Sequence, residues 1–451
     1  MAKQRPMTAE LHVGEVEDDE LCSVLSSVLP RGAQFRADEV EYRTMADEWT
    51  LSLQYRDRRI VRAVAGPAMT SELEEQIRTE IERVLLTPTT SKVCRWTLFN
   101  SRPVEGYWRY RDQFQIVPAP PEAPRPSELM AEHPFILDFV FDDCVNFMIR
   151  NHRYARRASD LTLVLNLLLR QRITSPTSRP RKHWVWAPQD TVPPAVWAQE
   201  GYMVPNFRYL VDDFPVAANV PSLKEIAADT YYDFPAGYAD TLTIPAELTR
   251  LLDAFNGLDS DDRERFLRAC FWYHTASAVW DYSQSLYLTS LINAIECLAS
   301  VGPERSTPEG PSKLFLAFMR RFAPGRLRLS GSVKTGGPSA LFKSLMRSFA
   351  PGGPSGALLN RIYDTRSKIT HGERLLYLDQ SSPSVGLDQT SAKDREVGES
   401  ASALCRGALI NWLWSHDPAV TGPLLTKGLL RTKPAPPGTK SSFTIITPGS
   451  K

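Results

Sequence analysis

Residues 358–372 constrain the chain most, because they read as a helix whose far end is set by a single glycine. Leu358, Ile362 and Ile369 recur at helical spacing, and Leu359 with Tyr363 makes a second row beside them. Pro354-Ser355 reads as the start, and Gly372 as a stop just after His371. Arg366 is three residues past Tyr363 and seven past Leu359, so it flanks the buried row. Arg366 and His371 stand about 140° apart on an ideal helix. They converge only if the chain bends near Gly372. Upstream, Leu288, Leu291, Ile292, Ile295, Leu298 and Ala299 form a second helical stripe, with Glu296 on its flank.

Around these helices, 451 residues leave room for two or three domains. Residues 1–117 read as an α+β module. Within it Glu48–Tyr55 and Arg59–Val64 suggest a hairpin, Thr70 opens a helix carrying Ile77 and Ile81, and Val93–Leu98 and Tyr107–Val117 have strand character. The proline-dense residues 118–127 predict a semi-rigid linker and a domain boundary. Residues 128–240 read as a middle α/β region opening on the strand Phe135–Phe141. Residues 245–425 read as helical, with Asp261 and Glu264 as a capping box and further helices over Ser312–Phe322, Leu341–Phe349 and Ala401–Trp412. Residues 432–451 bury too little apolar surface to order themselves. The predicted fold class is therefore α+β and multidomain, β-rich first and all-α last.

Net charge is +1, so any surface for nucleic acid must be local. Nine basic residues lie between Arg150 and Lys182 against one acid, Asp160. They read either as a phosphate-contacting surface or as a face neutralised by acids such as Asp212, Asp213, Glu225 and Asp229. Arg179, Arg181 and Lys182 are the candidate exposed contacts. Six scattered cysteines without a short pair argue against a zinc knuckle or a disulfide framework and suit a reducing cytosol. The N-terminus leads into acidic sequence, and the longest apolar run is Leu161–Leu169. No secretory leader, membrane partner, cofactor or metal is expected, and the predicted location is cytoplasmic.

Arg366-Ser367-Lys368-Ile369-Thr370-His371 resembles the Arg-x4-His signature of HEPN domains. Tyr363-Asp364-Thr365-Arg366 and His371-Gly372-Glu373 resemble the Apea-like branch, as does the helix Leu288–Leu298 with its Glu296. The resemblance covers roughly residues 245–420 and implies a C-terminal HEPN helical bundle. It implies metal-independent endoribonuclease chemistry and a two-fold homodimer that brings two Arg-His pairs into one cleft. It also implies an anti-phage, abortive-infection or toxin role, with residues 1–240 sensing a phage-derived trigger.

The residue types suit that chemistry without metal ligands. An RNA 2′-hydroxyl attacks its own phosphodiester, so the nucleophile comes from the substrate. His371 exchanges a proton near neutral pH, and Arg366 holds two phosphate oxygens as charge grows on them. Arg366 and His371 are thus the candidate catalytic residues, supported by Glu296, Ser367 and Tyr363. Lys368 joins Arg179, Arg181 and Lys182 as a candidate RNA contact. Two other readings stay open. Arg366 is a structural partner of Glu296 or Asp364 with His371 a helix cap, or the domain is a catalytically inactive dimerisation and RNA-binding module.

Overall fold

The computed structural model describes residues 5–7, 9–29, 33–36, 39–43, 49–56, 59–87, 90–124, 132–175, 184–186, 197–199, 204, 206–217, 219–232, 240–280, 282–299, 310–324, 349–350, 353–354, 356–379 and 389–425. The fold is α+β, strand-rich towards the N-terminus and helical towards the C-terminus.

Strands β1 (Arg5–Pro6), β2 (Ala33–Arg36), β3 (Glu39–Arg43), β4 (Thr50–Arg56) and β5 (Arg59–Ala65) form one antiparallel sheet in the order β1-β5-β4-β3-β2. The predicted hairpin is β4–β5, where Leu51 and Leu53 alternate inward between half-buried polar neighbours. Helices α1 (Asp18–Val28) and α2 (Ser71–Ile81) supply Leu21, Leu25, Ile77 and Ile81 to its core. Thr70 caps α2 through its hydroxyl, as the sequence suggests.

The second sheet contains β6 (Ser91–Asn100), β7 (Trp108–Tyr110), β8 (Phe114–Pro118) and β9 (His133–Asp142). With β12 (Leu210–Val211), its order is β12-β6-β9-β8-β7. Strand β9 pairs with β6 along its whole length and with β8 from Phe114 to Pro118. Asp138 on β9 is fully buried and lies between Arg95 of β6 and Gln115 of β8, both of which donate to it. Burial still pushes its carboxyl above the usual range. Elsewhere, β10 (Trp184–Trp186) pairs with β11 (Trp197–Gln199), and β13 (Lys224–Ile226) runs parallel to β14 (Thr243–Pro245).

This sheet corrects the predicted boundary at residues 118–127. The proline-rich segment joins two neighbouring strands of one sheet, and Ala123 within it is buried against Phe99 and Val204. Prolines cannot donate to a ladder, so they mark an interstrand connection as readily as a spacer. The expected division near residue 240 also coincides with no break in the core. Phe114, Phe135 and Leu165 belong to one apolar cluster with Leu251, Phe266, Leu291 and Leu409.

Helix α3 (Phe147–Leu168), capped by Asn146, runs through the predicted basic segment and packs against β9. After α4 (Ala228–Tyr231) come α5 (Leu248–Asn256), α6 (Ser260–Val279), α7 (Gln284–Ala299) and α8 (Pro311–Phe322), then α9 (Gly356–Thr370) and α10 (Gln389–Trp414). The cap of α6 is Asp259, whose carboxylate accepts from the Asp262 amide; the capping box expected at Asp261 and Glu264 does not form. Residues 341–348 of the expected helix over Leu341–Phe349 and the tail 432–451 lie outside the described residues, and Phe349 itself belongs to the two-residue strand Phe349–Ala350. No described helix is long and apolar enough to cross a membrane.

Helix α7 is the centre of the helical part, in contact with α6, α8, α9 and α10. Its N-terminus is capped from far along the chain. Asp379 accepts from the Ser283 hydroxyl at 3.0 Å and from the Gln284 and Ser285 amides at 3.0 and 2.6 Å. The Ser285 hydroxyl in turn accepts from the Leu376 amide. Asp379→Ala should therefore cost about 1–3 kcal/mol in urea unfolding, with Asp379→Asn costing less. Equal stability of Asp379→Ala and wild type would show that this cap does not hold α7.

Candidate active site

Helix α7 is apolar on almost every side, with Leu288, Leu291, Ile292, Ile295 and Leu298 buried. Thr289, Asn293 and Glu296 share the remaining strip at i, i+4 and i+7 and are half-buried. Helix α9 buries Leu358, Leu359, Ile362 and Tyr363, which leaves Arg366 on the flank of its apolar face. Crossing the two helices sets Arg366 against that polar strip.

The Arg366 Nη2 donates to Glu296 Oε2 at 2.7 Å and to Asn293 Oδ1 at 3.1 Å. The Tyr363 hydroxyl donates to Glu296 Oε1 at 3.2 Å, so one carboxylate holds two side chains of α9. The Tyr363 ring packs on Phe315 of α8 at 5.1 Å, which locks the phenol in place. The side chains of Arg366 and Glu296 are 19% and 27% exposed, so solvent screens the pair only partly. The Arg366 Nε is enclosed and has no hydrogen-bond partner among the described residues.

Three hydrogen bonds define the end of α9. The Glu373 amide reaches back to Lys368 O, the Gly372 amide to Ile369 O, and the His371 amide to Ser367 O. With Gly372 at φ +73°, this is a Schellman turn that puts His371 at the C-cap. The glycine stop and the bend match the sequence reading. His371 is exposed, and its ring makes no hydrogen bond or ion pair with a described residue. The structure thus gathers Arg366, Glu296 and Tyr363 but joins His371 to none of them by a contact. Ser367 is half-buried beside Arg366, and Lys368 is exposed on the outer face of α9.

Sequence reasoning missed Asn293. Its signal was present, three residues before Glu296 on the same polar strip of an otherwise apolar helix. Arg179, Arg181 and Lys182 lie outside the described residues. Three of the other six basic residues in the run pair with carboxylates. Arg153 forms two bonds to Glu20, at 2.7 and 2.6 Å, Arg156 pairs with Glu17 at 2.8 Å, and Arg150 pairs with Asp143. Glu17 and Glu20, beside and on α1, border a groove of about 840 Å³ that also contains His152. The phosphate-contacting reading therefore fails for Arg150, Arg153 and Arg156. The acids that neutralise them are not the ones expected.

Among the described residues, no three His, Cys, Asp or Glu side chains gather as metal ligands. Comparison with family models, with curated proteins and with solved structures returned no match.

Tyr363 gives this cluster a readable proton. Burial pushes its phenol above the ordinary range, the Glu296 carboxylate pushes it further, and Arg366 opposes. Because the folded-state value is raised, the linked stability is complete below the ordinary phenol range and is lost as pH rises through the raised value. Glu296→Gln should lower the Tyr363 titration point while leaving it above that of a free tyrosine, as read by NMR of a ring-labelled sample. An unchanged titration would remove Glu296 from contact with Tyr363.

Proposed function

We propose that the chain is a metal-independent endoribonuclease whose helical part is a HEPN bundle of the Apea-like type. The observation that carries the reading is the Arg366–Glu296–Asn293 arrangement. It holds a guanidinium by one terminal nitrogen, one turn before a helix end that presents an exposed histidine. Arg366 has Nη1 still available to a phosphate oxygen, in the geometry that favours arginine over lysine.

In this mechanism the RNA 2′-oxygen bonds to phosphorus as the bond from phosphorus to the 5′-oxygen breaks. His371 takes the 2′-proton or delivers one to the leaving 5′-oxygen, and Arg366 neutralises the charge on the nonbridging oxygens. The products are a 2′,3′-cyclic phosphate and a 5′-hydroxyl. No described residue of one copy orients the His371 ring, and in this reading a second copy facing the first across a two-fold axis supplies the other half of the cleft. Lys368, Arg179, Arg181 and Lys182 would contact the RNA backbone. We place the protein in the cytoplasm as an anti-phage or toxin effector, with residues 1–240 receiving the trigger.

A second reading has its own support. Glu296 and Asn293 both engage Arg366, and no described group positions His371. That arrangement equally suits an inactive bundle that dimerises and binds RNA.

Incubation of the purified protein with total RNA in excess EDTA separates the two. Cleavage leaving cyclic phosphate and 5′-hydroxyl ends supports the nuclease, and bound but intact RNA supports the module. His371→Ala should reduce cleavage by about 10²–10⁴-fold with an unchanged melting temperature. Arg366→Lys should lose roughly 10²–10³-fold, because an ammonium does not reproduce the forked contact. Products with 3′-hydroxyl and 5′-phosphate ends, or a requirement for Mg²⁺, would overturn the roles of both residues.

A further inference from the structure

On the other side of α7 lies a cavity of about 310 Å³ that the ribonuclease reading does not use. Tyr287 on its wall stands nine residues before Glu296, about 180° around the helix, so the cavity and the Arg366 cluster occupy opposite faces of α7. Its remaining walls come from the turn after α3, from α6 and from α10. Arg170, Arg172 and Arg406 line it, and no Asp or Glu does among the described residues.

That composition is unusual within this molecule. Arg95, Arg150, Arg153, Arg156, Arg250 and Arg366 each meet a carboxylate within 3.2 Å. Arg406 instead donates from Nε and Nη2 to one neutral phenol, that of Tyr273. Arg170 donates from Nη1 to the Tyr231 carbonyl at 2.6 Å, and among the described residues its Nε and Nη2 have no acceptor. Arg170 and Arg406 share the cavity wall, and burial together with Arg406 lowers the Arg170 guanidinium to about 10. Arg170 is also held at φ +51°, a strained backbone for a non-glycine residue. Like charges are not gathered in a half-buried cavity without something to offset them.

The aromatic walls narrow the choice of ligand. Trp280 and Tyr287 meet edge to face at 4.8 Å, and Trp280 is 41% exposed at the rim. A dianion matches two guanidiniums, and an aromatic rim matches a flat heterocycle. The volume exceeds that of a bare phosphate and falls in the range of small-ligand sites.

We propose that this cavity binds a nucleoside monophosphate or a close chemical relative, with its phosphate between Arg170 and Arg406 and its base against Trp280. The site is independent of RNA cleavage.

Calorimetric titration of the full chain tests it, with AMP, inorganic phosphate, adenosine and acetate as probes. AMP should bind most tightly, inorganic phosphate more weakly, and adenosine and acetate not measurably. Arg406→Gln should weaken AMP roughly ten- to a hundredfold, the loss of one charge-assisted contact. Trp280→Leu, at a half-exposed position that leaves folding intact, should bring AMP down to the affinity of inorganic phosphate. His371→Ala, at the end of α9 and outside the cavity lining, should bind AMP as wild type does, which separates this site from the nuclease reading. A wild-type protein that binds neither AMP nor phosphate at millimolar concentration would overturn the proposal. So would acetate binding as tightly as AMP, or Trp280→Leu binding AMP unchanged.

Discussion

The enclosure of α7 is the constraint on which the helical part depends. A helix apolar on nearly every side has to be surrounded, and α6, α8, α9 and α10 do so. Burying Leu288, Leu291, Ile292, Ile295 and Leu298 contributes about 1.5–3 kcal/mol for each side chain. A partly screened ion pair such as Glu296–Arg366 contributes about 0–1 kcal/mol. Packing therefore holds the helices together, and the pair selects how α9 is rotated against α7. Glu296 and Asn293 are the cost of that selectivity, since an unpartnered carboxylate on this strip would destabilise the whole assembly.

The same helix determines where His371 stands. The Schellman turn at Gly372 reverses the chain out of α9, and residues 376–379 then return to cap α7 through Asp379. The short path from Gly372 to that cap leaves His371 at an exposed corner, between a fixed helix end and a fixed segment. A residue placed this way carries little core area, so its chemistry is decoupled from the stability of the fold.

Features that depend on near neighbours were legible in the sequence. The stripes of α7 and α9, the flank position of Arg366, the glycine stop and the β4–β5 hairpin all rest on spacings of a few residues. Features set by distant partners were not. Nothing near Arg153 announces that Glu20, on α1, is its partner. The acids expected to neutralise that run went elsewhere, and Asp212 lies beside Lys92 instead. The prolines of 118–127 mark a connection, and its described part makes a turn in which the Ala123 amide donates to Pro120 O. They could not reveal that the flanking strands pair with each other, because pairing is a property of two segments and local stiffness of one. Asp259 displaced Asp261 as the cap of α6 for a smaller reason, a shift of two residues between equally good capping side chains.

The described arginines include three kinds of environment. Arg95 and Arg153 are closed, each held by a carboxylate inside the fold and serving only to join one element to another. Arg170 and Arg406 are open, held by a carbonyl and a phenol that fix direction without cancelling charge. The C-terminus of α3, immediately before Arg170, offsets part of that charge, by about 0.3–1 kcal/mol. It offers no acceptor to Nε or Nη2, so the guanidinium stays chemically unfinished. Arg366 stands between these states. Its Nη2 is spent on Glu296 and Asn293, and its Nη1 has no described acceptor. A group in that condition is held in direction by its partners yet retains a donor that no described residue uses.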